Sequence, residues 1–242
     1  MSSDFPMRLQ LYLARSGYGS RRFCETLITE GRVRVNTVKV TTLGTKVEQD
    51  DVVTVDHQLA EVSDQKFYYA LNKPRGYVSS NYDPNETAFA RDLIDVPHQH
   101  YLFHVGRLDK DSSGLILFTN DGEAAQIITH PKYEIEKEYY VTTKEIIQRA
   151  HLEEALKGVY IDSQRPYTIR RFALEGKRQV RITLTEGKNR EIRKILDHYG
   201  YTVQKLIRLR IGSLLLKNLQ PGRYRAVSKG EIARLLREAQ HG

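Results

Sequence analysis

Apolar positions near the start of the chain recur at helical spacing. They predict a short helix that carries Leu9 and Leu13 and is closed by Gly17. A second helix is predicted over residues 21–30, because Ser20 directly before it is a favoured N-cap residue. The apolar period then changes to alternation, which is typical of strands.

The predicted strands of this first part lie over residues 33–35, 38–40 and 52–55. Asn36 and Thr37 form the turn between the first two strands. Two helices and three short strands predict a compact α+β module over residues 7–60. The polar stretch 61–66 that follows is interpreted as a linker.

The rest of the chain, residues 67–242, is predicted to form a second domain with a mixed, mostly antiparallel α+β sheet. Its predicted strands are 67–72, 101–105, 115–119, 138–142, 180–185 and 202–211. Its predicted helices are 122–129, 144–155, 189–199 and 229–239. Pro74 and Gly76 force a turn after the first strand.

Charge is unevenly distributed along the chain. The net charge is +8, yet residues 181–242 hold 14 lysines and arginines against five acidic residues. A basic region of this kind favours a polyanionic partner such as nucleic acid.

A single cysteine, Cys24, excludes an internal disulfide framework, so we expect a reducing, cytoplasmic setting. No apolar run approaches the roughly 20 residues that span a bilayer, and we expect neither a membrane segment nor a secretory signal.

The sequence carries no signature of a bound cofactor or metal. No phosphate-binding glycine loop follows a predicted strand, and the eight histidines have no paired metal spacing. We therefore expect an activity that needs neither a cofactor nor a metal.

Six arginines fall within the first module, where they suit phosphate contacts or a merely solvated surface. They are Arg8, Arg15, Arg21, Arg22, Arg32 and Arg34. The strings Arg-Leu-x-x-Tyr-Leu-Ala-Arg-Ser-Gly (8–17), Ser-Arg-Arg (20–22) and Gly-Arg-Val-x-Val-Asn (31–36) resemble an S4 RNA-binding domain. The resemblance covers residues 7–60 and implies RNA binding by these arginines.

The string His-Val-Gly-Arg-Leu-Asp-Lys-Asp-Ser-Ser-Gly-Leu, residues 104–115, is predicted to form a strand, a polar loop and a buried strand. Asp109 lies in the loop, where an aspartate either forms a turn or presents a carboxylate for catalysis. This string resembles the catalytic loop of pseudouridine synthases. The resemblance implies that Asp109, the aspartate of Gly-Arg-Leu-Asp, is the essential residue.

Two further motifs match the same family in the expected order. Leu-Asn-Lys-Pro-Arg-Gly (71–76) resembles its first element, and Glu-Gly-Lys-Asn-Arg-Glu-Ile-Arg (186–193) resembles its third. Arg193 is predicted beside the apolar face of a helix, so it is either semi-buried and paired or part of a solvated basic helix. The resemblance implies that Arg193 pairs with Asp109 and keeps it ionised and oriented.

Tyr139 lies within Lys-Glu-Tyr-Tyr-Val, residues 137–141, which matches a Lys-x-Tyr-x-Val string of the family. A strand tyrosine is either a core residue or, as the resemblance implies, a ring that stacks on the target base. Other basic residues of the second domain are expected to contact RNA. They are Lys73, Arg75, Arg107, Lys188, Arg190 and Lys194.

Together the motifs resemble the RsuA-type branch of the family, an S4 module followed by a pseudouridine synthase domain. The resemblance implies isomerisation of uridine to pseudouridine in ribosomal RNA, with large-subunit RNA favoured and with naked RNA or a subunit precursor as partner. We expect a monomer. An inactive ribosome-assembly factor and an RNA methyltransferase are the alternatives, but the first needs no Asp109, Tyr139 and Arg193 trio and the second lacks its cofactor loop.

Overall fold

A computed structural model describes residues 5–80, 85–162 and 165–239. The chain forms two compact units, Met1–Phe67 with Asp95–Phe103 and Tyr68–Ile94 with His104–Gly242. Residues 95–103 thus join the first unit, although the sequence groups them with the second domain. Within the first unit, the His98 ring stacks on Phe67 with the centroids 3.6 Å apart.

The first unit packs two helices on short strands. Its elements are β1 (Met7–Arg8), α1 (Leu9–Arg15), α2 (Arg21–Thr29), β2 (Val33–Val35), β3 (Val38–Val40), β4 (Lys46–Val47), β5 (Val53–Val55) and β6 (Gln58–Leu59). The antiparallel sheet has the order β3-β2-β5-β6, and β1 pairs with β4. Leu9, Leu13 and Leu27 are buried against Val33 in its core. The Ser20 hydroxyl caps α2 by accepting from the N–H of Phe23 at 3.1 Å, as predicted.

The remaining elements build one large sheet with helices around it. They are β7 (Tyr68–Lys73), β8 (Phe103–Val105), β9 (Ser113–Thr119), α3 (Gly122–Thr129), β10 (Lys137–Thr143), α4 (Arg149–Lys157), β11 (Arg171–Gly176), β12 (Gln179–Leu184), α5 (Glu191–His198), β13 (Val203–Ile211), β14 (Leu214–Leu215), β15 (Tyr224–Ala226) and α6 (Lys229–Glu238). Short 3-10 helices lie at Ala90–Leu93, Gln99–Tyr101 and Pro131–Tyr133.

Within the described residues this sheet has nine strands. Seven follow the order β11-β12-β10-β13-β9-β7-β15, while β14 pairs with β13 and β8 with β9. The β13–β9 pair is parallel and the other assigned strand pairs along that order are antiparallel. The predicted mixed, mostly antiparallel α+β fold is therefore confirmed. No helix in the described part of the chain is long and apolar enough to cross a bilayer.

Many predicted elements differ by one or two residues at their ends, and two of them begin later because the residues before them belong to other structure. The helix predicted over 144–155 begins only at Arg149, because the preceding backbone bonds to other segments. The N–H of Lys144 donates to the Thr202 carbonyl at 2.9 Å, and that of Ile147 to the Lys177 carbonyl at 2.8 Å. The strand predicted over 101–105 begins at Phe103, since residues 99–101 form a 3-10 helix.

Candidate active site

Asp109 lies in the loop between β8 and β9, and its side chain is 34% exposed. The N–H of Ser112 donates to the Asp109 carbonyl at 3.0 Å, which closes a tight turn. Gly114 follows with φ of +105°, and a side chain there would collide with the backbone of Arg208. Glycine at this position therefore lets β9 and β13 pair side by side directly after the loop.

Two arginines at the start of α5 approach the Asp109 carboxylate. Nη1 of Arg190 lies 3.8 Å and Nε of Arg193 lies 3.9 Å from the same oxygen, Oδ2. These are ion-pair contacts, longer than an N–H···O hydrogen bond. The Arg193 side chain is 14% exposed and that of Arg190 is 45% exposed. The structure thus brings Arg193 to Asp109 and adds Arg190, which the sequence assigned only to RNA binding.

Arg193 is held by the loop that carries Asp109. Its Nη2 donates to the Asp111 carbonyl and to the Ser112 hydroxyl, both at 3.4 Å. Its Nε is buried and has no hydrogen-bond partner among the described residues. Burial lowers the pKa of Arg193, and the neighbouring charge of Arg190 lowers it further. A donor of Arg193 therefore remains unused beside the carboxylate.

A third arginine, Arg208, supports the same loop from inside the sheet. It is 4% exposed, and its Nε donates to the Leu115 carbonyl at 2.6 Å. Its Nη1 donates to the Arg107 carbonyl at 3.3 Å, two residues before Asp109. Sequence reasoning missed Arg208. The sequence pattern that could have indicated its burial is the alternation of faces along β13, because Arg208 lies two residues after the buried Leu206 and on the same strand face.

Tyr139 lies on β10 beside this cluster. It is 8% exposed, and its Cα partners are Ile182 on β12 and Arg208 on β13. Tyr140 is the next residue on the strand and is only half-buried, so the two tyrosines take opposite faces. Lys137, on the face of Tyr139, donates to the Thr185 carbonyl at 3.2 Å, and burial lowers its pKa to about 8.

Lys73 requires a correction, because its side chain is not at the surface. It ends β7, is 0% exposed, and its Nζ donates to the carbonyls of Pro74 at 3.0 Å and Tyr77 at 2.7 Å. Burial lowers the pKa of Lys73 to about 8, while the charge of Asp109 acts in the opposite sense. Its ammonium cannot reach an RNA phosphate in this structure, so Lys73 instead holds the turn after β7.

The other basic residues assigned to RNA in the second unit fall into two groups. Arg75, Arg107 and Arg190 are exposed. Lys188 donates to the Pro166 carbonyl at 2.6 Å, and Lys194 forms an ion pair with Asp162 at 2.5 Å. The three arginines are therefore better placed than the two lysines to meet a phosphate.

The arginines of the first unit also differ among themselves. Arg8, Arg21 and Arg22 are exposed, and Arg15 is half-buried. The Arg34 side chain is exposed as well, and its Nη1 donates to the Thr37 carbonyl at 2.7 Å.

Arg32 is exposed but engaged with acidic side chains. Its Nε lies 3.0 and 3.1 Å from the two carboxylate oxygens of Asp56, and its Nη2 also donates to that carboxylate. Its Nη1 lies 3.4 Å from Glu30. A phosphate would have to displace these carboxylates to bind Arg32.

No group of three or more histidine, cysteine, aspartate and glutamate side chains in the described ranges could hold a metal ion. Nδ1 of His104 donates to the Gly106 carbonyl at 2.9 Å, and burial lowers the pKa of the His104 imidazole. The side chains that form ion pairs with the Asp109 carboxylate are those of Arg190 and Arg193.

Comparison with known proteins shows the family to which each part of the chain is similar. The RNA pseudouridylate synthase family model matches residues 67–198, and the S4 domain model matches residues 7–53. The chain is 42% identical to an uncharacterized RNA pseudouridine synthase of Mycobacterium leprae, over 96% of this chain and 93% of that protein. It is 36% identical to the ribosomal large subunit pseudouridine synthase B of Bacillus subtilis, over 97% and 98% of the two chains.

A solved structure gives the same result. The crystal structure of a pseudouridylate synthase superposes with a TM-score of 0.71 at 27% identity, covering 95% of this chain and 99% of that chain. The expected S4 module is thus confirmed by the family match at the N-terminus, and the expected enzyme class by the match over the sheet domain. The chain belongs to the RNA pseudouridylate synthase family, as an RNA pseudouridine synthase that carries an S4 domain.

Proposed function

We propose that this enzyme isomerises one uridine of large-subunit ribosomal RNA and that Asp109 carries the reaction. The observation that supports this role is a partly exposed carboxylate with Arg190 and Arg193 at 3.8 and 3.9 Å from one oxygen. Catalytic contacts are often long in a free enzyme and tighten when the substrate binds. The similarity to the Bacillus subtilis large-subunit enzyme supports the choice of RNA.

The reaction breaks the bond between C1′ and N1 of uracil, turns the base and joins C5 to C1′. The proton on C5 is lost and one on N1 is gained, so no redox partner is needed. Asp109 either attacks the sugar as a nucleophile or removes a sugar proton, and both alternatives stay open. Each requires that the uridine leave its stack, so that the carboxylate can reach the sugar.

The neighbouring residues divide the remaining tasks. Arg193 orients the Asp109 carboxylate, because its side chain is largely buried and is held by the loop backbone. Arg190 is exposed at the same carboxylate and binds a phosphate next to the target nucleotide. Tyr139 stacks on the flipped uracil and assists removal of the C5 proton. The S4 module, residues 7–60, anchors the surrounding RNA through its exposed arginines.

The test is pseudouridine mapping of ribosomal RNA from cells with and without the gene. We expect one uridine of the large-subunit RNA to lose its modification on deletion and to regain it with the wild-type gene. Complementation with Asp109→Asn should leave that uridine unmodified. Loss of a site only in small-subunit RNA would overturn the proposed target, and restoration by Asp109→Asn would overturn the role of Asp109.

A further inference from the structure

The segment that follows β7 contacts the catalytic loop on both sides of Asp109. The Ser79 hydroxyl donates to the Leu108 carbonyl at 2.8 Å and accepts from the Leu108 N–H at 3.1 Å. The N–H of Gly76 donates to the Lys110 carbonyl at 2.8 Å. The residues directly before and after Asp109 are therefore both bonded to this segment.

The bond to Leu108 requires a hydroxyl group. Ser79 is 4% exposed and Leu108 is 6% exposed, so water does not replace the side chain readily. A hydroxyl can donate one hydrogen bond and accept others, and serine is the smallest residue that carries one. Removing it would leave a buried N–H and a buried carbonyl of the catalytic loop unpaired.

Ser79 is itself fixed by its neighbours in the chain. The N–H of Val78 donates to the Ala88 carbonyl, and the N–H of Ala90 donates to the Val78 carbonyl, both at 2.9 Å. The ammonium of Lys73 ties the carbonyls at the start of the segment, as described above. These bonds fix the backbone on either side of Ser79, so its hydroxyl has a defined position against the loop.

We propose that Ser79 is a positioning residue, whose hydroxyl sets the Asp109 carboxylate relative to the sugar of the target uridine. This inference rests on the proposed role of Asp109. Ser79 does not touch the substrate and acts through the backbone of Leu108. A misplacement of a reacting group by about 1 Å can slow catalysis by about a hundredfold. Leu108 directly precedes Asp109, so a shift of its backbone would move the carboxylate and lower the rate.

Threonine and valine at position 79 provide a matched pair, since they have the same shape and differ in the hydroxyl. We would measure tritium release in a single turnover, with excess enzyme and unmodified large-subunit RNA transcribed with 5-tritiated uridine. Ser79→Ala should lower the rate by about ten- to a hundredfold without changing the Kd for RNA. Ser79→Thr should be faster than Ser79→Val by about tenfold, and this ratio still tests the hydroxyl if Ser79→Ala folds poorly.

Thr143→Val is the control for loss of a buried hydroxyl elsewhere in the same unit. Thr143 is 0% exposed and donates to the Glu145 carbonyl at 2.8 Å, so its loss should leave the rate unchanged. Equal rates for Ser79→Thr and Ser79→Val would overturn the proposal, as would a loss in Ser79→Ala that lies wholly in the Kd. If Asp109→Asn is inactive in the same assay, either of these results would overturn the role of Ser79 and leave the role of Asp109 intact. An active Asp109→Asn would overturn both proposals.

Discussion

The two units use arginine in different ways. In the first unit, Arg21 and Arg22 are exposed at the start of α2. In the second unit, Arg208 is buried and Arg193 nearly so, and both donate to backbone carbonyls around the loop of Asp109. An exposed guanidinium can exchange water for phosphate, whereas a buried one organises the groups around it. Burial and existing partners, rather than charge alone, separate these two uses.

Each unit also contains an exception to its own pattern. Arg32 belongs to the first unit, yet its guanidinium is engaged by Asp56 and Glu30. Arg190 belongs to the second unit, yet nearly half of its side chain is exposed beside Asp109. If the comparison is correct, the effect of a mutation should follow the environment of the arginine and not the unit in which it lies.

The largest expected effect separates catalysis in the second unit from RNA binding. Asp109→Asn keeps the shape of the side chain but can act neither as a nucleophile nor as a base. We expect the single-turnover rate to fall by more than about a thousandfold. The Kd for RNA should change by less than about twofold, because binding depends on exposed cations elsewhere. Tritium release and filter binding measure the two quantities, and a rate near that of the wild type would refute the assignment.

The next effect compares the two arginines that contact the same carboxylate oxygen. Arg193→Lys cannot reproduce the bonds of a planar guanidinium to Asp111 and Ser112. A hydrogen bond from a charged group contributes about 1.5–3 kcal/mol, so we expect a rate loss of about ten- to a hundredfold. Arg190→Lys should lose less than about fivefold, because an exposed ion pair contributes only about 0–1 kcal/mol.

Single-turnover rates of both lysine variants on one RNA test this difference directly. The Kd for RNA should be close to that of the wild type for Arg193→Lys. Equal rate losses for the two variants would mean that burial does not distinguish these arginines.

Features that depend on neighbouring residues in sequence could be predicted. Ser20 caps α2, and helix 122–129 has the bounds that its pattern predicts. The candidate site could be located only through family motifs, because an aspartate in a loop is by itself compatible with a turn. Even so, those motifs assigned Lys73 to RNA, since sequence alone does not tell whether the last residue of a strand is buried.

Contacts between distant parts of the chain could not be predicted in the same way. Arg208 and the Arg107 carbonyl are 101 residues apart, and Ser79 and Leu108 are 29 residues apart. Residues 95–103 likewise belong to the first unit, although they are distant in sequence from the rest of that unit. Such pairs follow from strand order and sheet register, which local patterns leave undetermined.

The smallest effect tests the exception in the first unit. Arg21 and Arg22 are exposed, so each can neutralise one RNA phosphate and release counterions. Replacing both by glutamine should lower the slope of log Kd against log salt by about 2.

The matched control is the double variant Arg32→Gln with Asp56→Asn, which removes both charges of an ion pair and leaves the net charge unchanged. Because Asp56 already occupies the Arg32 guanidinium, this pair of changes should leave the slope within about 0.5 of the wild type. Binding would be measured between about 50 and 200 mM salt, where such slopes are well determined. If the Arg32 and Asp56 variant lowers the slope by about 1, as expected for the loss of one phosphate contact, RNA displaces the carboxylate and existing partners do not decide which arginines bind.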